Sequence, residues 1–269
     1  MSLRTIWPEG AWPCFAPDGR RVVFTAGSRL LMLSLDGDAE PRPITPPDVD
    51  AKRPTWLSDS EIAFNHGPAI WTVDADGGDL APFSEDPRPF FHPCAYPRER
   101  AVVVVSMYDG PRGREGVLFK LTPDDAEQLT SFPEVCAGRP GVSPDGETIV
   151  FAGNAGACDQ GANQLWIVAP GGHPRRLERG DAELAQGRAP RWSPDGEWIA
   201  CTSTRPAAHP TEATAKAVWI ISADGREADR ITDYGYDPLH VDWSPDQQQL
   251  VCGGFDCPLV LIDLPERFR

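Results

Sequence analysis

His92 and His240, with Arg53 and Arg139, occupy one position of a repeated phrase: each stands three residues before a small or aromatic anchor. In chain order that position reads Trp12, Arg53, His92, Arg139, Ala189 and His240, with Lys52 and Arg188 one residue to the side. Side chains of this kind, gathered at one mouth, suggest two chemistries. Clustered guanidiniums repel one another, and a carboxylate or phosphate relieves that repulsion through charge-assisted hydrogen bonds. Two facing imidazoles are metal ligands by type, so a channel-bound metal would fall to His92 and His240. The competing expectation is structural. The arginines would pair with nearby acids such as Asp50, Glu134, Asp181 or Asp237, and the histidines would bond locally.

The elements that position these residues are set by the repeat. Its clearest copy is Pro190-Arg191-Trp192-Ser193-Pro194-Asp195-Gly196 followed by Trp198-Ile199-Ala200-Cys201, and a second is Pro140-Gly141-Val142-Ser143-Pro144-Asp145-Gly146 before Ile149-Val150-Phe151. The anchors Phe15, Trp56, Ala95, Val142, Trp192 and Trp243 recur at intervals of 39 to 51 residues. Proline presets φ, aspartate caps, and glycine takes the positive-φ position, so Pro-Asp-Gly is a turn with a mechanism. Each copy adds apolar segments such as Ile70–Val73 and Val218–Ile221 and a short closing segment such as Arg230–Thr232. Four short strands per 40–50 residues is the signature of a propeller blade. The expected fold is therefore all-β: one six-bladed β-propeller over residues 1–269, four antiparallel strands per blade. The blades fall at about 8–45, 46–84, 85–130, 131–178, 179–232 and 233–264. The last copy lacks a closing strand, and residues 3–7 are expected to supply it. The anchor aromatics are expected to pack between blades.

The Ser-Pro-Asp-Gly phrase and the Leu-Trp-Ile-Val type strands resemble the WD-like β-propeller repeats of the TolB type, without the α/β domain that precedes the propeller in TolB. That resemblance covers nearly the whole chain and implies the fold. Propellers of this broad relationship include enzymes that act on acidic sugars with histidine clusters and a metal, which is the source of an enzymatic alternative.

Composition bounds the remainder. The formal charge is −15, with 25 Lys+Arg against 40 Asp+Glu. Such a chain repels the phosphate backbone and anionic lipid surfaces, so nucleic acid is not an expected partner, and no stretch approaches the roughly 20 apolar residues of a membrane span, so insertion is not expected either. Glycine (25) and proline (29) are too frequent for a helical protein, while a 41% hydrophobic content excludes disorder. The seven cysteines show no C-x-x-C pair and read as free thiols in a reducing compartment. No signal peptide opens the given chain, so the expected address is cytoplasmic, or periplasmic for a chain that has lost a leader. No Gly-x-Ser-x-Gly elbow, Walker loop or dinucleotide fingerprint occurs. Asp74-Ala75-Asp76-Gly77-Gly78-Asp79 is a hairpin turn rather than a calcium loop, because the distal ligands are missing.

Three segments between second and third strands are long: Ser106–Gly116, Gly153–Ala162 and Ser203–Lys216. They emerge on the face where inner strands begin. Tyr108, Arg112, Arg114, Asp159, Arg205, His209, Tyr234 and Tyr236 are the candidate contacts of that face. Arg53, His92, Arg139, Arg188 and His240 are the candidates at the channel mouth. The expected function is a binding module for a protein, a peptide or a small anionic ligand, with no cofactor. The alternative is a lyase or hydrolase acting on an acidic, sugar-like substrate in the channel.

Overall fold

The computed structural model describes residues 2–37, 40–110, 113–131, 135–155, 164–169, 171–177, 187–204 and 216–269, with the side chains of 110, 113 and 114 left out. Six four-stranded antiparallel sheets follow one another as blades. Blade one holds strands Ala11–Phe15, Arg21–Ala26, Arg29–Ser34 and Arg42–Pro43. Blade two runs from Ala51–Trp56 to Ala81–Pro82, and blade three from Phe90–Ala95 to Ala126–Gln128. Blade four runs from Cys136–Val142 to Arg175–Arg176, and blade five from Arg188–Trp192 to Ala228–Arg230. Blade six takes His240–Trp243, Gln249–Gly254 and Cys257–Asp263 from the C-terminal end, and its outer strand is Leu3–Trp7. That strand pairs antiparallel with the last one, Leu3 opposite Ile262 and Trp7 opposite Leu259, as the missing closing strand of the sixth repeat requires.

The second strand of each blade is apolar on both faces because both are covered by neighbouring blades; Val22–Phe24, Val102–Val105 and Ile199–Cys201 are buried throughout. The anchors work between sheets. Trp56 of blade two packs with Val23 and Met32 of blade one. The Trp243 indole N–H donates to the Arg191 carbonyl of blade five at 3.0 Å. Trp192, by contrast, is only partly buried against its cluster. Trp243→Ala is therefore expected to cost roughly 3–5 kcal/mol, cavity and lost hydrogen bond together, and Trp192→Ala clearly less. Urea denaturation of the two variants reads the difference.

Two expectations need correction. Ser106–Gly116 is not a loop. Val102–Gly110 and Gly113–Leu121 pair residue by residue, so blade three carries an extended two-stranded arm. The register runs without a shift from Val102 opposite Leu121 out to Gly110 opposite Gly113. The cysteines are not uniformly free either: Cys136 is disulfide-bonded, while Cys14, Cys94, Cys252 and Cys257 are free thiols. Cys201 and Cys252 fill buried slots that Phe24, Phe64 and Phe151 fill elsewhere.

At the opposite face from the arm, the fourth clear turn reads Pro245-Asp246-Gln247, with glutamine where glycine is usual. Gln247 nevertheless adopts φ 58°. Its side-chain amide donates to Asp195 at 2.7 Å and to the Phe268 carbonyl at 3.0 Å. Those bonds tie blade five to the short C-terminal 3-10 turn Glu266–Phe268 and offset the left-handed strain.

Candidate functional site

One proline per repeat builds the channel mouth. Trp12, Arg53, His92, Arg139 and Ala189 are each followed by proline, and all five adopt positive φ, between 47° and 58°. Proline has no N–H for the neighbouring strand, so the ladder skips there. The inner strands of blades one to five accordingly lose register between Ala11 and Cys14, Lys52 and Thr55, Phe91 and Cys94, Gly138 and Gly141, and Arg188 and Arg191. In blade six the equivalent residue is Val241, and the inner strand pairs without a shift. A left-handed residue that is not glycine costs on the order of 1–3 kcal/mol. Five copies at one mouth make this the most strained part of the described backbone.

Neighbouring blades hold the bulges. Asn65 of blade two accepts from the His92 N–H at 3.0 Å and donates to the Phe90 carbonyl at 2.8 Å, both in blade three. Thr55 Oγ1 accepts from the Ala95 N–H at 3.1 Å. At the ring closure Asp242 does the same for the Phe15 N–H at 2.9 Å.

A cavity of about 20 Å³ opens at this mouth, and Trp12, Arg53, His92, Arg139, Arg191 and His240 are among its walls. One water needs about 10–15 Å³ on the same measure, so the enclosed space takes a water or the tip of a small group. Four of the five channel candidates thus share one cavity. Arg188 is not among its walls, although its charge is felt by Arg139. Arg191 is a wall that the repeat position does not nominate. Strand alternation could have found it, because it stands two residues after Ala189 on the inner strand of blade five.

Arg53, Arg139 and Arg188 make no ion pair with a described acid, although Asp50 is near enough to act on Arg53, and Arg191 lies 4.0 Å from Asp242. Asp50 goes to Lys52 at 2.7 Å, and Asp237 to Lys216 at 3.1 Å; Glu134 and Asp181 lie outside the described residues. Arg53 Nε and Arg188 Nε are buried without hydrogen-bond partners, as are Trp12 Nε1 and His240 Nδ1. The Arg53 guanidinium lies over the Trp12 ring, 4.8 Å from its centre, and His240 lies 4.9 Å from the same ring. Arg191 alone is fixed by backbone, donating to the carbonyls of Pro140 and Pro190 at 3.1 and 2.9 Å.

This concentration of positive charge shifts its members. Burial, then Arg188 and Arg53, pulls Arg139 down to about 10. Burial first, and then the surrounding arginines, hold His92 and His240 well below the usual imidazole value. Both are neutral at pH 7. The folded state then binds fewer protons than the unfolded one. Stability is fully present above the ordinary histidine pKa of about 6.5 and is lost as pH falls below it, by up to about 1.4 kcal/mol per pH unit for each ring. Chemical denaturation between pH 7.5 and 5.5 is expected to show this slope, and the His92→Gln/His240→Gln protein to lose most of it.

A divalent metal does not fit these residues. Among the described residues no three His, Cys, Asp or Glu side chains gather as a metal site. The two imidazoles share their cavity with three arginines, and Asp242 is already engaged by the Phe15 N–H beside Arg191.

The loop candidates divide. Tyr108 and Tyr236 are exposed on the mouth face, and Phe255, not nominated by sequence, is the most exposed large apolar residue there at 55%. Tyr234 is buried in the blade-five cluster with Arg230 stacked on its ring, so it is a core residue and not a contact. Arg112, Asp159, Arg205 and His209 lie outside the described residues, as does the side chain of Arg114.

No protein-family model matches the chain. Over 62 residues, 23% of the chain, it is 39% identical to the uncharacterized peptidase YuxL of Bacillus subtilis; the match spans 8% of that protein. Among solved structures, a TolB protein of Agrobacterium tumefaciens superposes with a TM-score of 0.73 at 19% identity, covering 97% of this chain and 94% of that one. A gluconolactonase of Xanthomonas campestris superposes with a TM-score of 0.73 at 16% identity, covering 98% and 89%. The fold is therefore that of the six-bladed propellers to which TolB and gluconolactonase belong. Binding proteins and enzymes share it, so the fold alone assigns no activity. No helix among the described residues is long and apolar enough to cross a membrane.

Proposed function

We propose that the protein is a non-enzymatic binding module that receives one anionic group, a carboxylate or phosphate, at the channel mouth. The observation that carries this reading is the set of cavity-lining and neighbouring arginines, Arg53, Arg139 and Arg188, that make no ion pair with the described acids. Partly buried cations without a partner are costly, and an anion that enters supplies one. The strained backbone around them is what a prepared site looks like. The partner is a protein, a peptide or a small ligand presenting that anion. Nucleic acid is disfavoured by the net charge of −15. No cofactor enters this reading; a cytoplasmic address remains part of the proposal, and the Cys136 disulfide is the observation that speaks for an oxidising compartment instead. Titration with phosphate and with acetate tests it: saturable binding by the native protein, lost in Arg53→Gln/Arg139→Gln, is the expected result, and equal behaviour of the two proteins removes the site.

The enzymatic alternative, a hydrolase or lyase on an acidic sugar, rests on one observation: His92 and His240 line the same cavity as Arg53 and Arg139. Against it stands the small enclosed space of about 20 Å³, which takes only the tip of a ligand. Turnover of aldonolactones or oligogalacturonides that disappears in His92→Gln would reverse the order of the two readings.

A further inference from the structure

The channel mouth has a second compartment beside it. Gly235–Asp237, Leu239 and Phe255–Pro258 line a groove of about 400 Å³, twenty times the volume of the channel cavity. The two compartments share a wall. Phe255 lines the groove and meets the Trp12 ring edge-on at 4.8 Å, while Trp12 lines the channel. Leu239 lines the groove and is bonded in sequence to His240, which lines the channel. Two of the three exposed large apolar side chains among the described residues, Tyr236 and Phe255, border this groove. Its carboxylates differ. Asp237 is taken by Lys216, whereas Asp256 makes no ion pair with the described residues. The groove thiol, Cys257, is raised to about 11 by burial and nearby acids, so the groove holds no ready nucleophile.

The geometry points to the C-terminus of a peptide as the occupant: its terminal carboxylate against Arg53 and Arg139, its apolar last side chain in the Tyr236–Phe255 groove. This rests on the anion-binding reading above and narrows it. Size bears on the tip, because the enclosed part of the channel takes only the end of a small group such as a carboxylate. Charge decides the body of the ligand. On a chain of −15 a polyanion is repelled everywhere except at the mouth, so the ligand should carry a single negative charge at its end. Asp256 then favours a basic residue a few positions upstream. Burying the terminal apolar side chain against Phe255 and Tyr236 supplies affinity that a bare anion cannot.

Isothermal titration with the acetylated peptide Ac-Ala-Lys-Ala-Ala-Phe, as free acid and as C-terminal amide, tests this. The free acid is expected to bind, and the amide at least tenfold more weakly. Phe255→Ser is expected to weaken the acid about tenfold while leaving inorganic phosphate binding unchanged. An amide that binds as well as the acid overturns the inference, and so does a Phe255→Ser protein with unaltered peptide affinity. In either case retained phosphate binding leaves the anion site standing. Native protein that binds neither phosphate nor peptide overturns both. Phe255 is 55% exposed, so its replacement is expected to leave the melting curve unchanged, which checks that the fold is intact.

Discussion

Arg53→Gln/Arg139→Gln protein is expected to melt higher than the native protein in anion-free buffer and to bind phosphate or a carboxylate at least a hundredfold more weakly. The two effects have one cause. Arg53 and Arg139 are held close to each other and to Arg188 in a poorly solvated mouth, and that repulsion together with burial is what lowers Arg139. A buried charge without a partner is destabilising, and its neutral replacement is often stabilising. Each guanidinium, on the other hand, contributes a charge-assisted hydrogen bond to a bound anion, on the order of 1.5–3 kcal/mol. Losing two corresponds to at least about a hundredfold in affinity. Gain of stability with loss of binding is the pattern of a site maintained at the expense of the fold. A double variant that melts lower, and whose binding is unaltered, would mean that the arginines serve packing alone. Added phosphate sharpens the contrast, because it should raise the melting temperature of the native protein and not that of the variant.

Much of this site could be read without coordinates, for a definite reason. A tandem repeat places equivalent residues at equivalent positions, so a single register, three residues before the anchor, nominates Arg53, His92, Arg139 and His240 together. The proline two residues before the anchor is equally visible in the chain. Its consequence is not, because a bulge with positive φ is a response of the neighbouring strand's hydrogen-bond ladder to a missing N–H. Arg191 escapes because repeat register and strand alternation nominate different residues, and only the latter leads to it. Phe255 escapes because its exposure depends on a tight hairpin whose partner, Trp12, is more than two hundred residues away. Tyr234 shows the converse. A tyrosine in a Gly- and Asp-rich connection looks like a surface contact, yet the 3-10 turn Tyr234–Tyr236 rotates its ring into the core and leaves Tyr236 outside. Polarity of the connection fixes neither outcome.

The anion site also depends on the ring staying closed, and closure is the most exposed weakness of the architecture. A protein beginning at Pro8 is expected to melt about 10–25 °C lower than the native one. The truncation removes the strand Leu3–Trp7, whose residues pair with Leu259 through Ile262. It also removes Ile6, which packs against the clusters around Phe15 and Phe24 in blade one and Leu259 and Leu261 in blade six. The Ser2 hydroxyl bond to Asp263 and the Asp263 N–H bond to the Ser2 carbonyl at 3.0 Å are lost as well. Three half-buried apolar side chains, Leu3, Ile6 and Trp7, and the newly wetted Leu259 and Leu261 together account for roughly 4–8 kcal/mol. For a chain of this size each kcal/mol shifts the midpoint by about 2–4 °C. Blades one and six would then be joined by the packing of Phe15 and Val22 on Val251 and Leu261, by the approach of Gly10 to Gly253, so close that a Cβ on Gly253 would lie 2.5 Å from the Gly10 carbonyl oxygen, and by the Asp242 bond to Phe15. Because Asp242 adjoins Val241 and His240 at the mouth, opening this seam should also weaken phosphate binding. Scanning calorimetry and phosphate titration of the shortened protein measure both; an unchanged midpoint would show that interblade packing closes the ring unaided.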